Sequence, residues 1–233
     1  VPEHSSIKVL AFDTFGTVAD WYSGVADVLA RVFTDIDASA LAIAWRRSYA
    51  PALAEVESGT RPWTLLDDLH RESLERLLID EFGVIAAPDQ LDHAVHAWHV
   101  LPGWPDSSDG LRRLKTKFTI GALSNGNVAL LTDMAKASDF PWDFVGGADL
   151  WRHYKPASQV YLGIAELMQV NPSEVLMVAT HVNDLAAARS FGLRTAYVER
   201  PTEWGPLPKV DEPDPRDAFH VRGIDELAAA LGC

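Results

Sequence analysis

Four short apolar runs punctuate the chain, each ending in a polar or charged cluster. Ile7 to Phe12 runs into Asp13 and a Gly turn, and Phe118 to Leu123 into Ser124-Asn125-Gly126. Val175 to Ala179 runs into Thr180-His181-Val182-Asn183-Asp184, and Thr195 to Val198 into the charged, Pro-rich stretch Glu199 to Pro215. Short continuous apolar runs are what strands buried on both faces look like. Polar residues at their carboxyl ends stand where open parallel sheets collect ligands. Helical patterns over 106–116, 128–137, 158–168, 185–191 and 224–231 alternate with these runs, which predicts an α/β fold with a parallel sheet covered on both faces. From Trp21 to about Val100 no strand-like run occurs, and helical stretches over about 23–34, 37–57, 64–83 and 88–99 fill the gap. This predicts an all-helical insert after the first strand, closed off by Leu101-Pro102-Gly103-Trp104-Pro105. The expected organisation is a core domain of residues 1–19 and 100–233 and a helical domain of residues 20–99. Glu199 to Pro215 reads as a long surface loop.

Composition narrows the class. In 233 residues, 48% hydrophobic and 23% charged content is enough for a sizeable core and disfavours disorder. Apolar stretches fall short of a membrane span, and Val1 to Ser6 lacks a basic-then-apolar leader pattern, so a cytoplasmic, soluble protein is expected. The net charge of −13 argues against nucleic acid or an anionic membrane as partner. An anionic small molecule would need a local basic pocket. Cys233 is the single cysteine, which excludes an internal disulfide or a cysteine zinc cluster.

Asp13-Thr14-Phe15-Gly16-Thr17 places a carboxylate at a strand end before a Gly turn and a hydroxyl. Such an aspartate either caps the following segment or is presented as a nucleophile ringed by backbone N–H groups. Ser124-Asn125-Gly126 is likewise either a helix cap and turn or an anion-binding strand–helix junction.

Taken together and in order, these segments resemble the four motifs of the haloacid dehalogenase superfamily: Asp13 to Thr17, Leu123 to Asn127, Lys155-Pro156, and Thr180 to Asp184. The resemblance covers essentially the whole chain. It implies a Rossmann-like core with a cap, a nucleophilic Asp13 and a covalent aspartyl intermediate. Most members are magnesium-dependent phosphatases, which usually carry a second Asp two residues after the nucleophile and two carboxylates in motif four. Here Phe15 stands in the first place, and Asp184 is joined by His181 and Thr180 rather than by an acid. A hard cation would lose a ligand and the leaving alkoxide its proton donor, so no metal or other cofactor is expected.

The remaining features resemble the L-2-haloacid dehalogenase branch, which displaces halide at carbon without metal. Phe15 matches its aromatic two positions after the nucleophile, Arg46 its cap arginine, and Lys155 with Tyr161 its spacing after motif three. Val178 to Asp184 departs from the branch's Ser-Ser-Asn-x-Trp-Asp pattern, which touches the water-positioning groups and the aromatic wall. On this reading Asp13 attacks C2 of a 2-haloacid while Lys155 favours its ionised form. Water then attacks the ester, with Asp184 as general base and His181 or Thr180 orienting it. Thr17 supplies the motif-one hydroxyl. Ser124 and nearby N–H groups suit the substrate carboxylate, Asn125 reaches substrate or leaving group, and Arg46 receives the halide. Tyr161 is either a core residue or part of the site, and Trp63 either packs or walls the pocket. His93, His96 and His99 share helical spacing but lack a carboxylate or cysteine partner for zinc. The partners implied are a small 2-haloacid, fluoroacetate included, and water, with homodimerisation carried over from the branch. Two other readings stay open at this point: a magnesium-dependent phosphatase or phosphonate hydrolase, and a catalytically idle binding module.

Overall fold

The computed structural model describes residues 6–209 and 211–233; Val1 to Ser5 and Val210 lie outside it. Six parallel strands form one sheet: β1 Val9–Phe12, β2 Thr119–Ser124, β3 Phe144–Gly147, β4 Val175–Ala179, β5 Arg194–Val198 and β6 Phe219–Val221, in the order β3-β2-β1-β4-β5-β6. β1 is central, with Val9 opposite both Thr119 and Val175, and Phe12 opposite both Ala122 and Val178. Its alternate side chains serve two cores. Leu10 and Phe12 join the larger apolar cluster, while Val9 and Ala11 join a second one with Tyr161, Ile164 and Leu185. Because both faces are covered, these strands read as continuous apolar runs.

The helices are α1 Trp21–Val32, α2 Ala38–Glu57, α3 Leu66–Asp80, α4 Pro88–His96, α5 Ser107–Lys115, α6 Val128–Ala137, α7 Ser158–Leu167, α8 Val182–Ser190 and α9 Ile224–Ala230. α1 to α4 lie between β1 and β2, as the missing strand pattern predicts. Asp20 caps α1 by accepting from the Ser23 N–H at 3.1 Å, and Asp37 caps α2 through the N–H groups of Ser39 and Ala40. No described helix is long and apolar enough to cross a membrane.

Two strands escaped the sequence reading. β3 ends in two glycines and begins half-buried, and β6 is a three-residue edge strand. The stretch after β5 departs from expectation at two residues. Within it Glu203 is completely buried and Arg200 nearly so. Arg200 donates from Nε to the Thr17 carbonyl at 2.9 Å and grips both oxygens of Asp106 at 2.8 Å, fastening the segment against β1's exit. The other described residues of the stretch stay half-buried or exposed, as a surface loop does, while these two side chains fasten it inward.

Candidate active site

Three neighbouring strand ends deliver the polar groups. Asp13 follows β1, Asn125 follows β2, and His181 and Asp184 follow β4 and begin α8. Lys155 comes from the connection between β3 and α7, where Asn125 Oδ1 accepts its backbone N–H at 2.7 Å. α2 supplies the roof: Arg46, Tyr49, Ala50, Leu53, Ala54 and Glu57, spaced three or four apart, line a cavity of 810 Å³ above Asp13. Phe15, Lys155, Tyr161, His181, Asp184 and Trp204 complete its walls.

Asp13 is held by three donors. Lys155 Nζ lies 3.2 Å from Oδ1, while Thr17 Oγ1 at 3.0 Å and His181 Nδ1 at 3.1 Å meet Oδ2. Thr17 is fixed in turn because its oxygen accepts the Thr180 N–H at 3.0 Å. Burial alone would raise the Asp13 carboxyl, but the Lys155 charge and the His181 hydrogen bond outweigh it and hold the group well below the usual carboxylate range. Asp13 is therefore an anion at any physiological pH. Lys155 also donates to Asp184 Oδ2 at 2.6 Å, and the Tyr161 hydroxyl donates to Asp184 Oδ1 at 2.6 Å. Burial would lower the Lys155 ammonium; the charges of Asp13 and Asp184 raise it. Asp184 thus anchors Lys155 and Tyr161 with both of its oxygens.

His181 stands between two acids. Its Nδ1 meets Asp13 and its Nε2 meets Glu203 Oε1 at 2.8 Å. Burial depresses the imidazolium, but the Glu203 charge and the hydrogen bonds to both acids lift its pKa to about 9. Glu203 also accepts from Trp21 Nε1 at 3.3 Å and pairs with Lys209 at 2.7 Å. Burial would raise its carboxyl; His181 and Lys209 bring it down to about 2. This close approach requires Gly16, whose φ is +86° and whose missing Cβ would lie 2.2 Å from Glu203 Oε1.

Arg46 is buried, with its guanidinium over the rings of Tyr49 at 4.3 Å and Trp21 at 5.5 Å. Its Nη1 finds no hydrogen-bond partner among the described residues. An orphaned guanidinium donor on a cavity wall is a ready receiver for an anion.

Most of the residues singled out in the sequence converge here: Asp13, Phe15, Thr17, Arg46, Asn125, Lys155, Tyr161, His181 and Asp184. Two do not reach the cavity wall. Ser124 is fully buried with its hydroxyl 2.6 Å from that of Thr14, so its side chain is spent bracing the strand end. Trp63 stacks on Tyr154 at 4.8 Å between ring centres and packs there rather than walling the pocket. Thr180 is also withdrawn, because Lys209 bonds its hydroxyl and carbonyl. His99 bridges Asp67 at 3.2 Å and Asp133 at 2.9 Å, a structural contact away from the cavity. Sequence reasoning missed Tyr49, Glu203 and Trp204. Tyr49 was findable as the residue one helical turn after Arg46, whereas Glu203 and Trp204 sit in the Pro-rich stretch with no local signal.

The fold has close counterparts. A solved defluorinating L-2-haloacid dehalogenase is 41% identical, with a TM-score of 0.93 over 97% of this chain and 96% of that one. A second solved L-2-haloacid dehalogenase is 39% identical with the same TM-score, covering 97% of this chain and 100% of the other. The (S)-2-haloacid dehalogenase 4A of Burkholderia cepacia is 28% identical over 201 residues, 84% of either chain. The profile of the haloacid dehalogenase-like hydrolases matches residues 7–192. With a strand-end carboxylate, a lysine bridging it to a second acid, and helices set over both, the chain belongs to the haloacid dehalogenase-like hydrolases.

Proposed function

We propose that the protein hydrolyses small 2-haloacids to 2-hydroxyacids through an ester on Asp13. The carrying observation is the pairing across the cavity of an ionised Asp13 with Arg46, whose buried Nη1–H is unpartnered. An oxygen of Asp13 attacks C2, the C–halogen bond breaks, and the halide leaves toward a cation whose stabilisation grows as charge develops. Water then adds to the Asp13 carbonyl carbon, the C2-bound oxygen leaves as the product hydroxyl, and the carboxylate is restored. The product oxygen comes from Asp13 in each turnover and the solvent oxygen enters Asp13. Asn125, which hydrogen-bonds the Tyr49 hydroxyl, stands on the wall to meet the substrate carboxylate. Residues 20–99 act as the cap that carries Arg46, on a core of 1–19 and 100–233.

The donor set does not fit a divalent cation. The two carboxylates nearest the reacting centre share one ammonium, and a cationic imidazole holds the free edge of Asp13. A metal would sit among positive charges with too few hard oxygen ligands. The magnesium-dependent phosphatase reading loses its ligands for the same reason. The proposed setting is the cytoplasm, supported by a lone cysteine, and a homodimer is carried over from the branch; sedimentation of the purified protein tests the latter.

The experiment is halide release from each enantiomer of 2-chloropropionate and from fluoroacetate, in EDTA, beside a magnesium-supplemented phosphate-ester assay and an Asp13→Asn control. Fluoroacetate belongs in the set because the 41% identical relative is named for defluorination. Halide from the S enantiomer in EDTA, abolished in the control, is the expected result. Phosphate release that requires Mg²⁺ would overturn it.

A further inference from the structure

We propose that His181, held by Glu203, is the base of the second half-reaction, and that forming the ester on Asp13 is what switches it on. This rests on the dehalogenase reading above. It gives the segment after β5 a part in the chemistry, with Glu203 as a positioning residue acting through His181.

The geometry selects His181 over its neighbours. Asp184 was the expected base, but both of its oxygens are taken at 2.6 Å by Lys155 and Tyr161. The Thr180 hydroxyl is bonded by Lys209. His181 lines both the cavity above Asp13 and an adjoining 520 Å³ cavity shared with Arg47, Asn183, Trp204 and Lys209. Its ring is therefore the group between the ester and a second, outer space. Nδ1 sits 3.1 Å from Asp13 Oδ2, beside the carbon that water must attack.

Charge supplies the switch. The groups facing His181 are Asp13 and Glu203 in direct contact, Lys155 on the far oxygen of Asp13, Lys209 on the far oxygen of Glu203, and Arg47 and Asp211 across the outer cavity, where Asp211 pairs with Lys209 at 3.3 Å. In the resting enzyme two anions outweigh burial and keep the ring protonated, so it cannot accept a proton. Esterification removes the Asp13 charge while Lys155 keeps its own. Burial and the remaining cations then oppose Glu203 as the one anion still in contact with the ring, and the imidazolium gives up its proton to solvent. Glu203 accepts a hydrogen bond at Nε2, which fixes the proton there and leaves Nδ1 bare toward the ester. Nδ1 takes one proton of the attacking water, the hydroxyl adds to the Asp13 carbonyl carbon, and the hydroxyacid oxygen departs with the second water proton. Asp13 carboxylate and His181 imidazolium reappear together. The halide and one proton thus leave in the first half, and hydrolysis consumes only water.

The test uses the full-length enzyme with (S)-2-chloropropionate, following halide release, intact mass and the pH dependence of kcat. His181→Ala is expected to give a halide burst and an accumulated adduct with the mass of substrate less hydrogen halide. Turnover should slow by about 10²–10⁴-fold and recover with added imidazole. Glu203→Gln should accumulate the same adduct and move the acid limb of kcat down by about one pH unit, since each unit of pKa is a tenfold change in equilibrium. Folding of both variants is checked by circular dichroism. The proposal is overturned if neither variant accumulates ester, if imidazole leaves His181→Ala unchanged, or if the acid limb of folded Glu203→Gln stays in place. Should Glu203→Gln fail to fold, the imidazole arm decides alone. Wild-type enzyme that releases no halide would instead sink the dehalogenase reading itself.

Discussion

Replacing Lys155 by methionine keeps the bulk of the stem and deletes the ammonium that two buried carboxylates share. Lys155, Asp13 and Asp184 are 7%, 10% and 9% exposed at their side chains, so solvent cannot screen what remains. Removing one partner of a buried ion pair typically destabilises by about 3–5 kcal/mol, because the other charge is left buried. With a urea slope of about 2–3 kcal/mol per molar, the unfolding midpoint should fall by about 1–2 M at pH 7.5. The pH dependence identifies the cause. In the wild type the folded Asp13 pKa lies below its unfolded value, so its stabilisation is present above the unfolded pKa of about 3.9 and is lost as pH falls toward the folded one. Without Lys155 that contribution shrinks, and the gap between the two proteins narrows on acidification. Urea melts by tryptophan fluorescence and circular dichroism from pH 8 to pH 3 measure it. A gap below 1 kcal/mol at neutral pH, or one that does not narrow between pH 4 and pH 3, would refute the account of Lys155 as the charge that keeps Asp13 ionised.

Other perturbations separate chemistry from folding. Arg46→Ala removes the donor facing the leaving group and should lower kcat for halide release by about 10²–10³-fold; Tm falls as well, because the buried guanidinium's contact with the Tyr49 and Trp21 rings is lost. Gly16→Ala introduces a Cβ that meets Glu203 at a positive φ; about 1–3 kcal/mol of stability should be lost, seen as a lower Tm by calorimetry. Tyr161→Phe strips Asp184 Oδ1 of its donor; a loss of about 1–3 kcal/mol is expected in the same urea assay. EDTA dialysis should leave halide release unaltered, as judged by initial rates before and after addition of Mg²⁺.

The legible part of the fold was the part that burial writes into local sequence. Strands such as Val175–Ala179 are covered on both faces and read as unbroken apolar runs, and each carries its polar cluster at the same end. β3 was illegible because Phe144 and Val145 are followed by two glycines, and the second close-packs against Val128 N and Asp149. Asp13, Lys155 and Asp184 were found because spacing along the chain preserved them. Glu203 was not, since its burial depends on Trp21 and His181 arriving from two other segments to meet it beside Lys209 of its own stretch. Ser124 shows the opposite failure: its motif position is right, yet pairing with Thr14 takes the hydroxyl away from the cavity.

β1 lies at the centre of the sheet but at the start of the chain, and its second neighbour, β4, begins at Val175. A parallel pair so far apart in sequence must close a very long loop before the pairing stabilises anything, which slows folding. During synthesis, β1 therefore waits with one edge bare until the chain has been made as far as β4. The helices between β1 and β2 can meanwhile assemble on local contacts, so the roof is built before the floor. Asp13 likewise emerges as an ordinary hydrated aspartate, and becomes a desolvated, braced carboxylate only when Lys155 and His181 have followed it out.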